Sequence, residues 1–166
     1  MSVCWLEIRG WINTGKLSPE TLYGAYLVFK PNPAGIYGFD YQSVEVSIGI
    51  AGGEASKRTV FLDAERGRRL RYQIVPRQAG IFNHARFLGS VETLSAQHNN
   101  NNTTSIDLKY PKERGDGWLE VELGDFFNDG EDDKEVEMGV YEIKSGDWKG
   151  GLFLQGIEIR PKTVSH

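Results

Sequence analysis

The chain has 166 residues, of which 39% are hydrophobic and 25% charged, with 20 glycines and a formal net charge of −4. That composition fits one soluble globular domain with a sizeable core. A lone cysteine, Cys4, excludes an intrachain disulfide, and no apolar run nears the ~20 residues needed to cross a bilayer as a helix. The charge is uneven: residues 1–91 carry 11 Lys and Arg against 7 Asp and Glu, and residues 92–166 carry 8 against 16. An acidic second half argues against nucleic acid as a partner, because phosphate affinity comes from basic side chains. The one basic run, Glu65-Arg66-Gly67-Arg68-Arg69-Leu70-Arg71, has no interleaved aromatic residues and reads as a solvated turn. The N-terminus shows no basic segment followed by an apolar one, so the expected setting is the reducing cytoplasm and nucleus. The overlapping glycosylation sequons at Asn101 and Asn102 would then go unused.

In chain order, apolar and polar residues alternate along residues 3–12, with Leu6 and Ile8 on one face and Glu7, Arg9, Trp5 and Trp11 on the other. Cys4 reads as a small buried side chain. Ser18-Pro19-Glu20-Thr21-Leu22 predicts one short helical turn from an N-cap serine with proline behind it. Alternation resumes at Tyr23, Ala25, Leu27 and Phe29, and again at Val44, Val46, Ile48 and Ile50. Residues 59–62 and 72–75 are short strand candidates, and residues 97–104 form a polar loop. Leu119, Val121 and Leu123 alternate with glutamates, Asp125-Phe126-Phe127-Asn128 predicts a short turn, and Val136, Met138 and Val140 alternate again. Ile157 and Ile159 close the series, and residues 163–166 read as a frayed tail behind a domain spanning residues 1–162. Period-2 patterns between Gly, Pro, Asn and Asp breaks predict an all-β antiparallel sandwich.

The constellations that could carry chemistry are sparse. Glu120/Glu122 and Glu135/Glu137 are carboxylate pairs two residues apart on strands, an arrangement of solvent-face charge more than of a glycosidase. The acidic run Asp129-Gly130-Glu131-Asp132-Asp133 lacks the ligand spacing of a calcium loop. His84, His98 and His166 are scattered and have no zinc spacing with Cys4. No nucleophile elbow, phosphate loop or dinucleotide fingerprint occurs. The expectation is a binding protein without catalysis, metal or cofactor. Trp148, in Ser145-Gly146-Asp147-Trp148-Lys149-Gly150-Gly151, places an indole beside charged groups at a loop tip, a combination suited to the apolar face and the hydroxyls of a sugar. Trp118, entering a strand, reads as an end plug.

Several segments together resemble the plant phloem protein 2 family, which includes the tobacco agglutinin. They are Trp5-Leu6-Glu7-Ile8-Arg9-Gly10, Tyr23-Gly24-Ala25-Tyr26-Leu27-Val28-Phe29-Lys30, Gly115-Asp116-Gly117-Trp118-Leu119-Glu120, Leu123-Gly124-Asp125-Phe126-Phe127-Asn128 and Gly156-Ile157-Glu158-Ile159-Arg160-Pro161. The likeness covers nearly the whole chain and is nearest to the subgroup in which the domain follows an F-box. It implies a jelly-roll-like sandwich and a lectin for N-acetylglucosamine oligomers or N-glycan-type glycans, with glycoproteins as partners and a homodimer as a route to avidity. It also implies a carbohydrate site containing Glu135, Glu142, Trp148 and Lys149. The family's tryptophan-rich segment upstream of the first strand has no counterpart within the 166 residues, and Trp5 and Trp11 match scaffold positions. On that account sugar affinity is expected to be reduced, altered or absent. The rival expectation is a recruitment module of an F-box ubiquitin ligase, with ubiquitin-ligase components as partners and a vestigial sugar site.

Overall fold

The computed structural model describes residues 2–40, 42–65, 68–69 and 109–163. Within them the alternating runs become strands β1 (Ser2–Val3), β2 (Leu6–Asn13), β3 (Thr21–Pro31), β4 (Val44–Ile50), β5 (Ala55–Val60), β6 (Lys112–Glu113), β7 (Leu119–Asn128), β8 (Glu135–Glu142), β9 (Lys149–Gly150) and β10 (Leu152–Pro161). One sheet has the order β10-β3-β7-β6, the other β2-β8-β4-β5, and β1 pairs with β9 in a small ribbon. Every pairing is antiparallel. In each sheet one pairing joins consecutive strands, β7 with β6 and β4 with β5, and the other two join strands far apart in the chain, as in a jelly roll. The expected antiparallel β-sandwich is therefore the fold.

The core is the sum of the inward-facing positions. Ala25, Leu27 and Phe29 from β3 meet Val121 and Leu123 from β7, and Val44, Val46, Ile48, Val136, Met138 and Val140 from the opposite sheet. β3 is buried on both faces from Tyr23 to Phe29, because the outward Tyr26 lies under Arg160, whose guanidinium carbon stands 3.7 Å from the ring centroid. Arg160 in turn pairs with Glu120 at 2.5 Å, and Lys162 with Glu122 at 2.8 Å. The glutamates of β7 thus belong to an ion-pair layer that closes the outer face of this sheet.

Two local expectations are corrected. The short turn at residues 125–128 is instead the end of β7, where a register shift near Gly124 makes Leu123 an extra residue. A bulge inverts the inside–outside phase, so Leu123 and Asn128 both face inward although their spacing is odd. The helical turn expected at residues 18–22 does not form; a 3-10 turn occupies Thr14–Lys16, with the Asn13 side chain capping the Gly15 N–H, and Thr21 already opens β3. Cys4 is half-buried rather than buried. Residues 72–75, residues 97–104, the three histidines and residues 164–166 lie outside the described residues.

Candidate functional site

The connection from β8 to β9, residues 143–148, is built around one ammonium. Lys149 Nζ lies 2.5 Å from Glu142 Oε2 and donates to Ser145 Oγ at 2.7 Å, the Asp147 carbonyl at 2.8 Å and the Cys4 carbonyl at 3.2 Å. The Lys149 side chain is completely buried and that of Glu142 is 3% exposed. Glu142 also accepts from the Ser145 N–H and hydroxyl, each at 3.2 Å. Burial alone would push the Glu142 carboxyl up, but the Lys149 ammonium and the Ser145 N–H outweigh it and hold its pKa below the ordinary carboxylate value. With Lys149 turned inward, its neighbour Trp148 points out of the strand and is 64% exposed. Trp5, the residue after Cys4, is 69% exposed, so the buried ion pair is flanked in sequence by two open indoles. Gly38 packs against this corner so closely that a Cβ there would stand 2.3 Å from the Trp148 carbonyl oxygen.

A second feature lies on the outer face of the β2-β8-β4-β5 sheet. Tyr141 lies along its strand over Gly139, where a Cβ would meet the Tyr141 hydroxyl at 2.2 Å. Tyr26 lies over Gly24 in the same way in the other sheet, but Arg160 covers it. The Arg9 guanidinium stands 5.8 Å from the Tyr141 ring centroid and is engaged by Glu7 at 2.7 Å. A cleft of about 300 Å³ remains over Tyr141, lined by Arg9, Ser43, Glu45, Lys57, Thr59 and the start of the residue 143–148 loop. Its volume lies at the lower end of the ~300–1,000 Å³ range of small-molecule sites. An aromatic floor ringed by carboxylate, ammonium, guanidinium and hydroxyl groups suits a neutral polyhydroxyl ligand.

Of the four residues the family resemblance singled out, the structure brings Glu142 and Lys149 into contact and leaves Trp148 beside them on the surface. Glu135 stands at the opposite end of β8 from Glu142, roughly 23 Å away at ~3.3 Å per residue. It faces outward, whereas Glu142 faces the interior. Glu142 and Lys149 frame the loop: the Lys149 side chain is sealed, and Glu142, though almost buried, borders the cleft over Tyr141. Tyr141 and Arg9 were not singled out by sequence. The available signal was the Gly139-x-Tyr141 spacing on a strand, which allows the ring to lie down. Trp118 is half-buried and enters β7, in keeping with a plug. The acidic loop holds Asp129 against Lys134 at 2.6 Å, and among the described residues no group of three His, Cys, Asp or Glu is placed to hold a metal ion.

The family model described as phloem protein 2 matches residues 1–161. The chain belongs to the phloem protein 2 family. This phloem protein 2 domain is 39% identical to the F-box protein PP2-B10 of Arabidopsis thaliana, over 98% of its own length and 47% of that protein. It is 36% identical to the F-box protein PP2-B1, covering 97% of the domain and 52% of the relative, and 38% identical to the F-box protein PP2-B15, covering 96% and 51%, both also from Arabidopsis thaliana. The chain spans about half the length of the curated relatives it matches. The phloem protein 2 family is lectin-like, and the open aromatic groups of the sandwich are the features to read in that light.

Proposed function

We propose that this domain is a non-catalytic lectin that binds N-acetylglucosamine oligomers or N-glycan-type glycans, working in the cytoplasm and nucleus. The observation that carries the reading is the contrast between the two tyrosines that lie flat on their sheets. Tyr26 is capped by Arg160, whereas Tyr141 floors an open polar cleft. A pyranose places its C–H face on such a ring while its hydroxyls reach the surrounding polar groups. The exposed Trp148 supplies a second stacking surface at the end of the same strand–loop unit, and the Glu142–Lys149 pair positions it. One shallow site of this kind binds in the micromolar to millimolar range, or about −4 to −8 kcal/mol, so avidity would come from several sites or a homodimer.

The test is a broad glycan array probed with the purified chain, Trp148→Ala and Tyr141→Ala. Signal on N-acetylglucosamine-containing glycans is expected, with a loss of at least tenfold in one or both variants while their circular dichroism stays native. Signal that neither variant weakens would refute this site, and a blank array from the folded chain would refute the lectin reading.

A second reading, recruitment of polypeptides to a ubiquitin ligase, is favoured by the names of the relatives, which are F-box proteins about twice the length of this chain. Pull-down of a partner that persists after enzymatic deglycosylation is its expected result.

A further inference from the structure

The outer face of the β2-β8-β4-β5 sheet carries a second aromatic group beyond the Tyr141 cleft. The register sets Arg9 opposite Gly139 and Trp11 opposite Glu137, all four at outward positions. The Ala51 N–H donates to the Glu135 carbonyl, so the odd-numbered residues of β8 turn their backbone groups towards β4. On the β2 side, Trp11 and Glu137 therefore form a non-hydrogen-bonded pair, the closer of the two antiparallel kinds, with Cα atoms about 4.5 Å apart. Trp11 is 54% exposed and Glu137 is half-buried. Among the described residues no hydrogen bond or ion pair reaches the Glu137 carboxylate. The Arg9 guanidinium acts on it through charge alone, being bonded to Glu7 at 2.7 Å. On the other side of Glu137 stands Gly49, over which the β4–β5 hairpin closes: a Cβ there would lie 2.6 Å from the Ala55 Cα and 2.7 Å from the Glu54 carbonyl oxygen. The carboxylate thus sits between an open indole and a hairpin backbone.

We infer that Trp11 and Glu137 form a second sugar subsite, and that this face takes two linked neutral pyranoses along β8, one on Tyr141 and the next on Trp11. The inference rests on the lectin reading above and deepens it. The Tyr141 hydroxyl lies over Gly139, two residues or about 7 Å from Glu137, a distance that one pyranose cannot bridge and two linked rings can. The indole takes the C–H face of the second ring, and the Glu137 carboxylate, an acceptor only, takes protons from two of its hydroxyls. Arg9 and Ser47, opposite Gly139 on its two sides, border the linkage between the rings. The charges select a neutral ligand, because Arg9 repels a cation placed on the indole and Glu137 repels an anion. The pair also stands clear of the described connections to this sheet. The chain leaves the sheet at Val60, opposite Val44, where the Phe61 N–H donates to the Lys109 carbonyl. Glu137 faces Gly49, five residues or roughly 16 Å from Val44 along β4, and β1 pairs with β9 and with no strand of this sheet.

The test is titration of the full chain, Trp11→Ala and Glu137→Gln with N-acetylglucosamine and with chitobiose, followed by protein NMR. Both substitutions are at outward positions, so the fold should tolerate them, and circular dichroism checks that it does. The wild type should bind chitobiose at least tenfold more tightly than N-acetylglucosamine. In each variant that gain should shrink to about twofold or less, while N-acetylglucosamine binds within about twofold of wild type. Chitobiose should also shift the indole N–H resonance of Trp11, assigned by its loss in Trp11→Ala. Equal affinity of the wild type for the two sugars, or a chitobiose gain that survives both substitutions, would overturn the subsite and leave the lectin reading standing. A folded wild type that binds neither sugar would overturn the subsite together with the lectin reading on which it rests.

Discussion

Replacing Lys149 by Met leaves the Glu142 carboxylate buried with no cation. The side chain of Lys149 is wholly enclosed and that of Glu142 nearly so, and removing one partner of a buried pair typically costs about 3–5 kcal/mol. Against a total stability of about 5–15 kcal/mol, that is a large fraction. At about 2–4 °C per kcal/mol for a chain of this size, the melting temperature should fall by roughly 6–20 °C. The penalty should also depend on pH. In the variant, burial acts on Glu142 without its main opposing partner, so its folded pKa rises above the unfolded value. A carboxyl of that kind is protonated and harmless in mild acid and destabilises progressively as pH rises. Urea denaturation of wild type and Lys149→Met at about pH 4 and about pH 7 should show the larger loss at the higher pH. The double variant Glu142→Leu/Lys149→Met, which removes both charges, should return to within about 2 kcal/mol of wild type. A loss under about 1 kcal/mol in Lys149→Met, the size typical of an exposed pair, would refute the account of a sealed ion pair framing the loop.

The wild-type chain should show the opposite pH sign. Glu142 is held low against its burial by Lys149 and Ser145, and Glu158 is held low by Arg114. Their contributions are fully present above the ordinary carboxylate pKa of 4.5 and are lost as pH falls through the depressed folded values. Thermal scans from about pH 7 to about pH 3 should be level at first and then drop; a rise on acidification would contradict the pairings. Asn128→Ala should cost about 2–3 kcal/mol in chemical denaturation. Its buried amide donates to the carbonyl of Ser18 at 3.0 Å and to that of Thr14 at 3.2 Å, which the Leu17 N–H also holds at 2.9 Å. A loss under about 0.5 kcal/mol would mean that those carbonyls are satisfied in another way.

The sandwich was legible because a strand with one face in the core must alternate, and β4 ends where its alternation ends, at Val44 and Ile50. β7 was legible only to Leu123. The bulge beyond it reverses the phase, and Phe126-Phe127 then reads as a break in pattern rather than as a strand. The site was harder to see. Lys149 stands in a glycine-rich, polar stretch whose bland reading is solvent, and the oxygens that bury it come from residues 4, 142, 145 and 147. No local pattern encodes that convergence. Tyr141 reads as one more strand aromatic until Gly139 and Arg9 are seen around it. Trp148 was visible from its setting alone, because glycines and charges on both sides leave an indole no interior to enter. Trp5 and Trp11, expected at scaffold positions, are both largely exposed.

The enclosure of Lys149 has a chemical consequence. Lys144 stands on the loop that Lys149 closes, yet the Lys149 amine is sealed by carbonyl, hydroxyl and carboxylate oxygens while Lys144 is exposed. Acylating reagents, and enzymes that attach groups to lysine, meet Lys144 on the folded domain and reach Lys149 only after the corner has opened. The ratio of modification at these two positions therefore records how long the loop has spent undone, and it does so without any added probe.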